Sequence, residues 1–408
     1  MPRPPKRVLV RRWIAFSASV LVIVAVATYL PLTLLAPLPM VQARQTAYIV
    51  PQTTAAQLSL PSYGSSAIAA VGYPGLLTQG GTSRPLPIAS ITKIITALVV
   101  LQKKPLAVGE AGPNILFTAQ DEVYLHSYAA RDGDVYPIKV GGTMTEHDVL
   151  EVALVASANN YIRALADWAY GSEAKFLPVA NAWLKAHGMS STVLTDATGL
   201  NPQNTSTPTD LIALGRLALA DPIISKIVGI KQAKLPVVGL IQNTNKLLGK
   251  VGIDGIKTGT LNSAGASLLF SSTYNVDGTN IRLIGVILDG PSHPVIDAQI
   301  GKLVKQAQAA FAEVRLVSEG QKIGSYTTAW GGHADILAGA SRTIVVLRGT
   351  PVSEHTVTNT IVTGKKGAIV GTTTFTVGSA KVTIPLKLAT TIVDPGPVWR
   401  LTHPGVLL

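Results

Sequence analysis

From Trp13 to Leu35 the chain runs twenty-three residues without a charge, WIAFSASVLVIVAVATYLPLTLL. A run of that length crosses a bilayer as a helix, because a helix satisfies all its backbone polar groups within the segment. Arg3, Lys6, Arg7, Arg11 and Arg12 precede it, and such a cluster stays on the cytoplasmic side. Everything downstream is expected outside the cell. A signal peptide cut near Ala43, within MVQAR, is the alternative. The run is longer than an ordinary signal core, and Ala36, Pro37, Leu38 and Pro39 lengthen the gap to any cut, so a retained anchor is preferred. The chain has no cysteine, which excludes disulfides, thiolate metal sites and a Cys nucleophile. Removing the five N-terminal charges from the formal net +12 leaves +7. Those charges are scattered without aromatic interleaving, which suits residence near anionic lipid or wall polymer and argues against nucleic-acid binding.

The segment PIASITKIITALVVLQ, Pro87 to Gln102, poses a different constraint. Ile91, Ile94, Ile95, Leu98, Val99 and Leu101 recur at helical spacing and more than fill one face, so the helix belongs in an interior. Lys93 is buried with them, and a buried ammonium either finds a carboxylate or gives up its proton. The group one turn back is the hydroxyl of Ser90. A neutral lysine beside a serine is a base beside a nucleophile.

Residues 36–65 are rich in Gln, Thr, Ser, Ala and Pro and read as a linker, or as an early strand at a domain edge. From 66 to 314 the pattern is mixed. Helices are expected at SITKIITALVVLQ, TEHDVLEVALVASANNYIRALADWAY, EAKFLPVANAWLKAHG, TPTDLIALGRLALA and PVIDAQIGKLVKQAQAAFAEV, with caps at Thr145 and Thr207. ASLLFSSTY and IRLIGVIL, joined by NVDGTN, read as a hairpin. From 315 to 408 short β-branched runs broken by Gly or Pro predict a small all-β domain without helices. The expected order is a basic tail over 1–12, an anchor over 13–35, the linker, a catalytic domain and the β-rich domain.

Ser-x-x-Lys alone is weak, since Ser172 to Lys175 has the same spacing on an amphipathic helix. Its company matters more. The chain holds one Ser-x-Asn, Ser157 and Asn159, and one Lys-Thr-Gly, Lys257 to Gly259, just ahead of a strand. The three in this order form the signature of penicillin-binding proteins and class A β-lactamases. Over about residues 83 to 290, including LVASANN, HGMSSTVLTDATGLNPQNTSTPTDLIALGRLAL and DGIKTGTLNSAGASLLFSS, the chain resembles the low-molecular-mass penicillin-binding proteins that act as serine-type D-alanyl-D-alanine carboxypeptidases. GAIVGTTTF and VTIPLKL are similar, less specifically, to that family's C-terminal domain.

The resemblance implies an α+β fold of the β-lactamase/DD-peptidase kind, with one antiparallel sheet packed between helices, a helical subdomain opposite and the site between them. It implies Ser90 as nucleophile, Lys93 as base and Ser157 as proton relay. Asn159 would hold a substrate amide, Lys257 and Thr258 the terminal carboxylate, and Gly259 would permit close approach. The N–H groups of Ser90 and Thr260 would form the oxyanion hole. The implied substrate is the peptidoglycan stem peptide, with β-lactam antibiotics as covalent inhibitors and no cofactor or metal. Two departures stand out. Asn160 follows Asn159 where relatives often carry an acid, and WRLTHPGVLL is too short and Pro-broken for the amphipathic membrane helix that ends many relatives.

The seven histidines show no metal spacing and read as surface or structural, and Glu146, Asp148 and Glu151 read as a solvated helix start. Rival functions are a β-lactamase, for which Glu173 is the one acidic candidate for activating water, a DD-endopeptidase or transpeptidase, and a non-catalytic wall scaffold. A chain lacking residues 1 to 43 is expected to be soluble and to release D-alanine from a model peptide; a folded but inactive truncation would contradict this.

Overall fold

The computed structural model describes residues 5–49 and 51–408; Arg3 of the basic cluster lies outside the described residues. Two compact units emerge, one of Ala56–Phe311 and one formed by the chain up to Ala55 with Ala312–Leu408.

The first unit is built on a five-stranded antiparallel sheet in the order Ile253–Leu261, Gly265–Val276, Thr279–Gly290, Ser65–Ala70, Thr78–Gly81. The expected hairpin closes at Asp277 and Gly278, whose φ values of 46° and 86° suit a two-residue primed turn. Alternation along the strands gives the sheet two buried faces. Leu269, Ile284, Val286 and Leu288 join the main core beneath the Pro208–Ala220 helix, whereas Leu268, Phe270, Leu283 and Ile287 are buried on the other face, against the His293–Ala309 helix. Gly285 lies opposite Phe270 across the hairpin, and a Cβ there would stand 2.2 Å from the Phe270 ring.

The helices Thr92–Lys103, Ala119–Ala129, Glu146–Val155, Asn159–Tyr170, Glu173–Ala186 and Pro222–Val228 complete this unit. Thr145 and Thr207 cap their helices, accepting from the N–H groups of Asp148 and Asp210. The long helix expected from Thr145 to Tyr170 is interrupted. It stops at Val155 and restarts at Asn159, with Ser157 between them in the left-handed region at φ 62°. Apolar periodicity cannot register a single inverted residue. The expected helix at the end of this unit also stops early, at Ala309, and Phe311–Val317 is a strand. Glu146 and Glu151 are not solvated. Both are buried, and Glu146 has neither oxygen partnered, so burial pushes its carboxyl up to about 7.

In the second unit a six-stranded antiparallel sheet runs Arg44–Gln45, Lys322–Thr327, His333–Ala338, Ala380–Leu388, Ile369–Val377, Val352–Thr358. Its core holds Tyr326, Ile336, Phe375, Leu386 and Leu388. Part of the stretch read as a linker joins this sheet, since Arg44–Gln45 pairs with Gly324 and Ser325 and Val41 bridges Ile361. These two residues take the edge position that the alternative reading of the stretch, an early strand, allowed for. The second unit also holds helices, contrary to expectation, at Gly396–Thr402 and Pro404–Leu407.

A 29-residue helix, Lys6–Leu34, is long and apolar enough to cross a membrane. Lys6, Arg7, Arg11 and Arg12 lie within its first turns instead of in a separate tail, as suits long side chains that carry their charges outward from a helix. At its far end Arg400 donates to the carbonyls of Leu34 and Ala36 at 3.3 and 2.7 Å.

Gly285→Ala is expected to lower the thermal midpoint, with a cost of about 1–3 kcal/mol, because the Phe270 ring must leave its rotamer or the hairpin must spread. Scanning calorimetry checks this, and an unchanged midpoint would mean that the ring has room to move.

Candidate active site

Ser90 sits on the short 3₁₀ turn Ala89–Ile91, which leads directly into the Thr92–Lys103 helix. One turn on, Lys93 Nζ lies 2.6 Å from Ser90 Oγ. Its side chain is wholly buried, as are those of Ile91, Ile94 and Ile95 beside it in the chain. Burial, then the Lys257 charge, hold the Lys93 amine well below its ordinary range, while Asp134 and Asp196 oppose the shift. Lys257, also buried, is lowered to about 8 by burial, again opposed by Asp134. Two buried lysines in one interior thus both have their amines shifted downward, the one against the serine in part by the charge of the other.

The backbone under Ser90 is shaped by glycines. Ala89 has φ 49°, a conformation that an L-residue holds only when its surroundings impose it. A Cβ on Gly199, itself at φ 85°, would fall 1.8 Å from the Ala89 carbonyl oxygen, and one on Gly259 would fall 2.8 Å from that of Ile88. Gly199 belongs to a rigid loop. The Asp196 carboxylate accepts from the N–H groups of Thr198, Gly199 and Asn201 at 2.8, 2.6 and 2.7 Å. Asn204 ties the same loop to Thr92, at 3.1 Å from its hydroxyl.

The cleft above Ser90 has a volume of about 290 Å³ and is lined by Ser90, Asp134, Ser157, Gln242, Asn243, Thr244, Lys246, Thr258, Thr260 and His293. Of the residues singled out in the sequence, Ser90, Ser157, Thr258 and Thr260 face it. Lys93 and Lys257 lie buried nearby, and Gly259 packs against the turn that carries Ser90. Asn159, 3% exposed, starts the helix after Ser157, and its Oδ1 is buried without a partner. Lys257 Nζ donates to the Thr258 carbonyl at 3.3 Å, and the hydroxyls of Thr258 and Thr244 are hydrogen-bonded. A larger cleft, about 440 Å³, lies along the Thr78–Gly81 edge. It holds no lysine, so the chemistry singles out the smaller one.

Six residues of the cleft were missed in the sequence: Asp134, Gln242, Asn243, Thr244, Lys246 and His293. Asp134 and Thr244 lie in loops without any motif. His293, read as surface or structural, stands in the cleft with Nε2 2.7 Å from Thr260 Oγ1; burial lowers its pKa. Only the return of the chain after Gly290 brings it there. His147, Asp148 and Glu151 bring one ligand atom each within 4.8 Å of one another, closer than their sequence reading allowed. That is ordinary spacing within one helical turn and carries no metal assignment. Asn160 replaces the expected acid without leaving a hole: its Oδ1 accepts from the Tyr136 N–H at 3.2 Å and its Nδ2 donates to the Tyr136 carbonyl at 2.8 Å.

A hydroxyl against a buried lysine whose pKa is depressed, with a second serine and a cation in the same cleft, is the equipment of a serine acyl-transferring hydrolase. The family profile described as peptidase S11, D-alanyl-D-alanine carboxypeptidase, matches residues 69–292, and the chain belongs to this family. It is 27% identical over 344 residues to the D-alanyl-D-alanine carboxypeptidase DacC of Escherichia coli K12, covering 81% of this chain and 83% of that protein. It is 31% identical over 213 residues to a D-alanyl-D-alanine endopeptidase of Pseudomonas aeruginosa, covering 50% and 64%. Among solved structures, penicillin binding protein 5 of Haemophilus influenzae matches with a TM-score of 0.57 at 20% identity, over 85% of this chain and all of that one. The last match bears on the fold alone, and agrees with the α+β expectation.

Gly199→Ala is expected to slow covalent labelling by a fluorescent penicillin at least about tenfold, since the new methyl displaces the Ala89 carbonyl and with it Ser90. Labelling at the wild-type rate would show that the loop yields without moving the nucleophile.

Proposed function

We propose that Ser90 is the nucleophile of a D-alanyl-D-alanine carboxypeptidase that trims the terminal D-alanine from peptidoglycan stem peptides. The observation that carries this reading is the 2.6 Å contact between Ser90 Oγ and the depressed amine of Lys93. Lys93 takes the hydroxyl proton as Oγ attacks the carbonyl carbon of the penultimate D-alanine. The Ser90 and Thr260 N–H groups hold the developing oxyanion. Collapse breaks the C–N bond, and Ser157 relays a proton to the departing amine. Water then attacks the acyl ester, with Lys93 again as base, and frees Ser90.

Lys257 and Thr258 receive the terminal carboxylate, a cation and a hydroxyl being a fitting pair for it. Asn159, with its free Oδ1, holds the amide on the acyl side. Gly259 leaves the strand open to close approach. Because β-lactams acylate the same serine, they act as covalent inhibitors. Glu173 is not free to activate water for their rapid hydrolysis: Arg163 holds it at 2.6 Å and it accepts from the Ala197 N–H at 2.9 Å. The Lys6–Leu34 helix is read as a single retained anchor in the bacterial cell membrane, with the 66–314 domain on its outer side.

The test is release of D-alanine from diacylated L-Lys-D-Ala-D-Ala, beside Ser90→Ala. Release that disappears in the variant is expected; release that survives would exclude Ser90. No release from a protein that still takes up penicillin would move the activity to cross-linked wall, in line with the endopeptidase relative. The pH profile of kcat/KM should rise as Lys93 loses its proton, and fall above about 8 as Lys257 loses the charge that binds the carboxylate. A profile still climbing past pH 9 would contradict the role given to Lys257.

A further inference from the structure

Three consecutive residues at the start of the Asn159–Tyr170 helix clamp one loop. The Asn159 N–H donates to the Asp134 carbonyl at 2.7 Å, Asn160 pairs with both backbone groups of Tyr136, and the Tyr161 hydroxyl donates to the Pro137 carbonyl at 2.7 Å. Gly133 fits the same packing, since a Cβ there would fall 2.6 Å from Asn159 Nδ2. The loop is therefore pinned, and it presents the Asp134 side chain at the cleft.

Asp134 is the one carboxylate lining the cleft among the described residues, and its side chain is exposed. No described cation forms an ion pair with it. Lys246 also lines the cleft, and Lys257 lies buried nearby, within reach of the Asp134 charge. A substrate whose terminal carboxylate is drawn to Lys257 carries its acyl side past Asn159, whose own N–H is bonded to Asp134. Any charge borne by the residue before the D-Ala-D-Ala pair then arrives at this carboxylate.

We infer that Asp134 is a specificity-determining residue that receives a free ammonium group on the residue preceding the D-Ala-D-Ala pair. This rests on the function proposed above. The cleft then has a chemical polarity matched to a peptide with a carboxylate at its end and an amine upstream. It discriminates between stems whose side-chain amine is free and stems in which that amine is acylated by a cross-link. Asn160 has a purpose in the same arrangement: an amide donates to one backbone group of Tyr136 and accepts from the other, which a carboxylate cannot do.

The experiment compares kcat/KM for Nα-acetyl-L-Lys-D-Ala-D-Ala, which keeps its side-chain amine, with the diacylated peptide, using the full chain in detergent. The protein is expected to prefer the free amine on the order of fivefold, the scale of an exposed charge pair, and less so at high salt. Asp134→Asn should bring the ratio close to one, and Asp134→Glu should keep part of the preference. Equal rates on both peptides in the unaltered protein, or a preference surviving in Asp134→Asn, would overturn the inference. An Asp134→Asn profile whose acidic limb moves identically for both peptides, with the preference intact, would show that Asp134 acts only on the lysine protons. Absence of D-alanine release from either peptide would remove the carboxypeptidase reading and this inference with it, whereas equal release from both strikes this inference alone.

Discussion

Everything in the first unit depends on keeping Lys93 out of water and against Ser90. Burying an ammonium is costly and favours the neutral amine, and Lys93 is wholly buried on a helix whose Ile94 and Ile95 are buried as well. Lys257 adds a second positive charge behind it, which lowers Lys93 further. Asp134 and Asp196 work in the other direction, so burial and the two carboxylates pull the amine opposite ways, with burial the larger cause.

The geometry around that pair is over-determined. Ala89 and Ser157 both hold positive φ values, and both lie within or beside the cleft. Such conformations persist only where packing and hydrogen bonds leave no alternative. For Ala89 the restraint is the glycine-lined approach of two other segments, the Asp196–Asn204 loop and the Lys257 strand. For Ser157 it is the junction of two helices, one ending on Val155 and the other pinned through Asn159 to the Asp134 loop. Three distant stretches of chain are thereby held in one cleft, as proximity catalysis requires.

The two units are held together internally by different means. The first has a large apolar core running from the sheet into the helices, and an ion network in which Arg163 joins Asp167 and Glu173. The second rests on β pairing and a smaller core around Tyr326 and Phe375. The 36–49 segment shows how pairing alone can recruit a stretch that composition marks as a tether: Arg44–Gln45 contributes only two residues, yet it completes the edge of the six-stranded sheet.

The motifs that hold Ser90 and Lys93, Ser157 and Asn159, and Lys257 to Gly259 were legible in the sequence by their local spacing and their order, whereas Thr260 and the role of each residue came with the family resemblance. The membrane-length helix and the hairpin around Asp277 were legible for a similar reason, since length and turn chemistry are local properties. His293, Asp134 and Thr244 were not legible. Their place in the cleft depends on which strand lies at the sheet edge and where loops return, and those contacts span more than a hundred residues between Asp134 and His293. The break at Ser157 and the burial of Glu146 belong to the same class. The sequence by itself determined the reactive groups and the order in which they occur. Only the tertiary structure decided the charges in the cleft, because pKa values and charge complementarity follow from burial and distance, which no window of sequence contains.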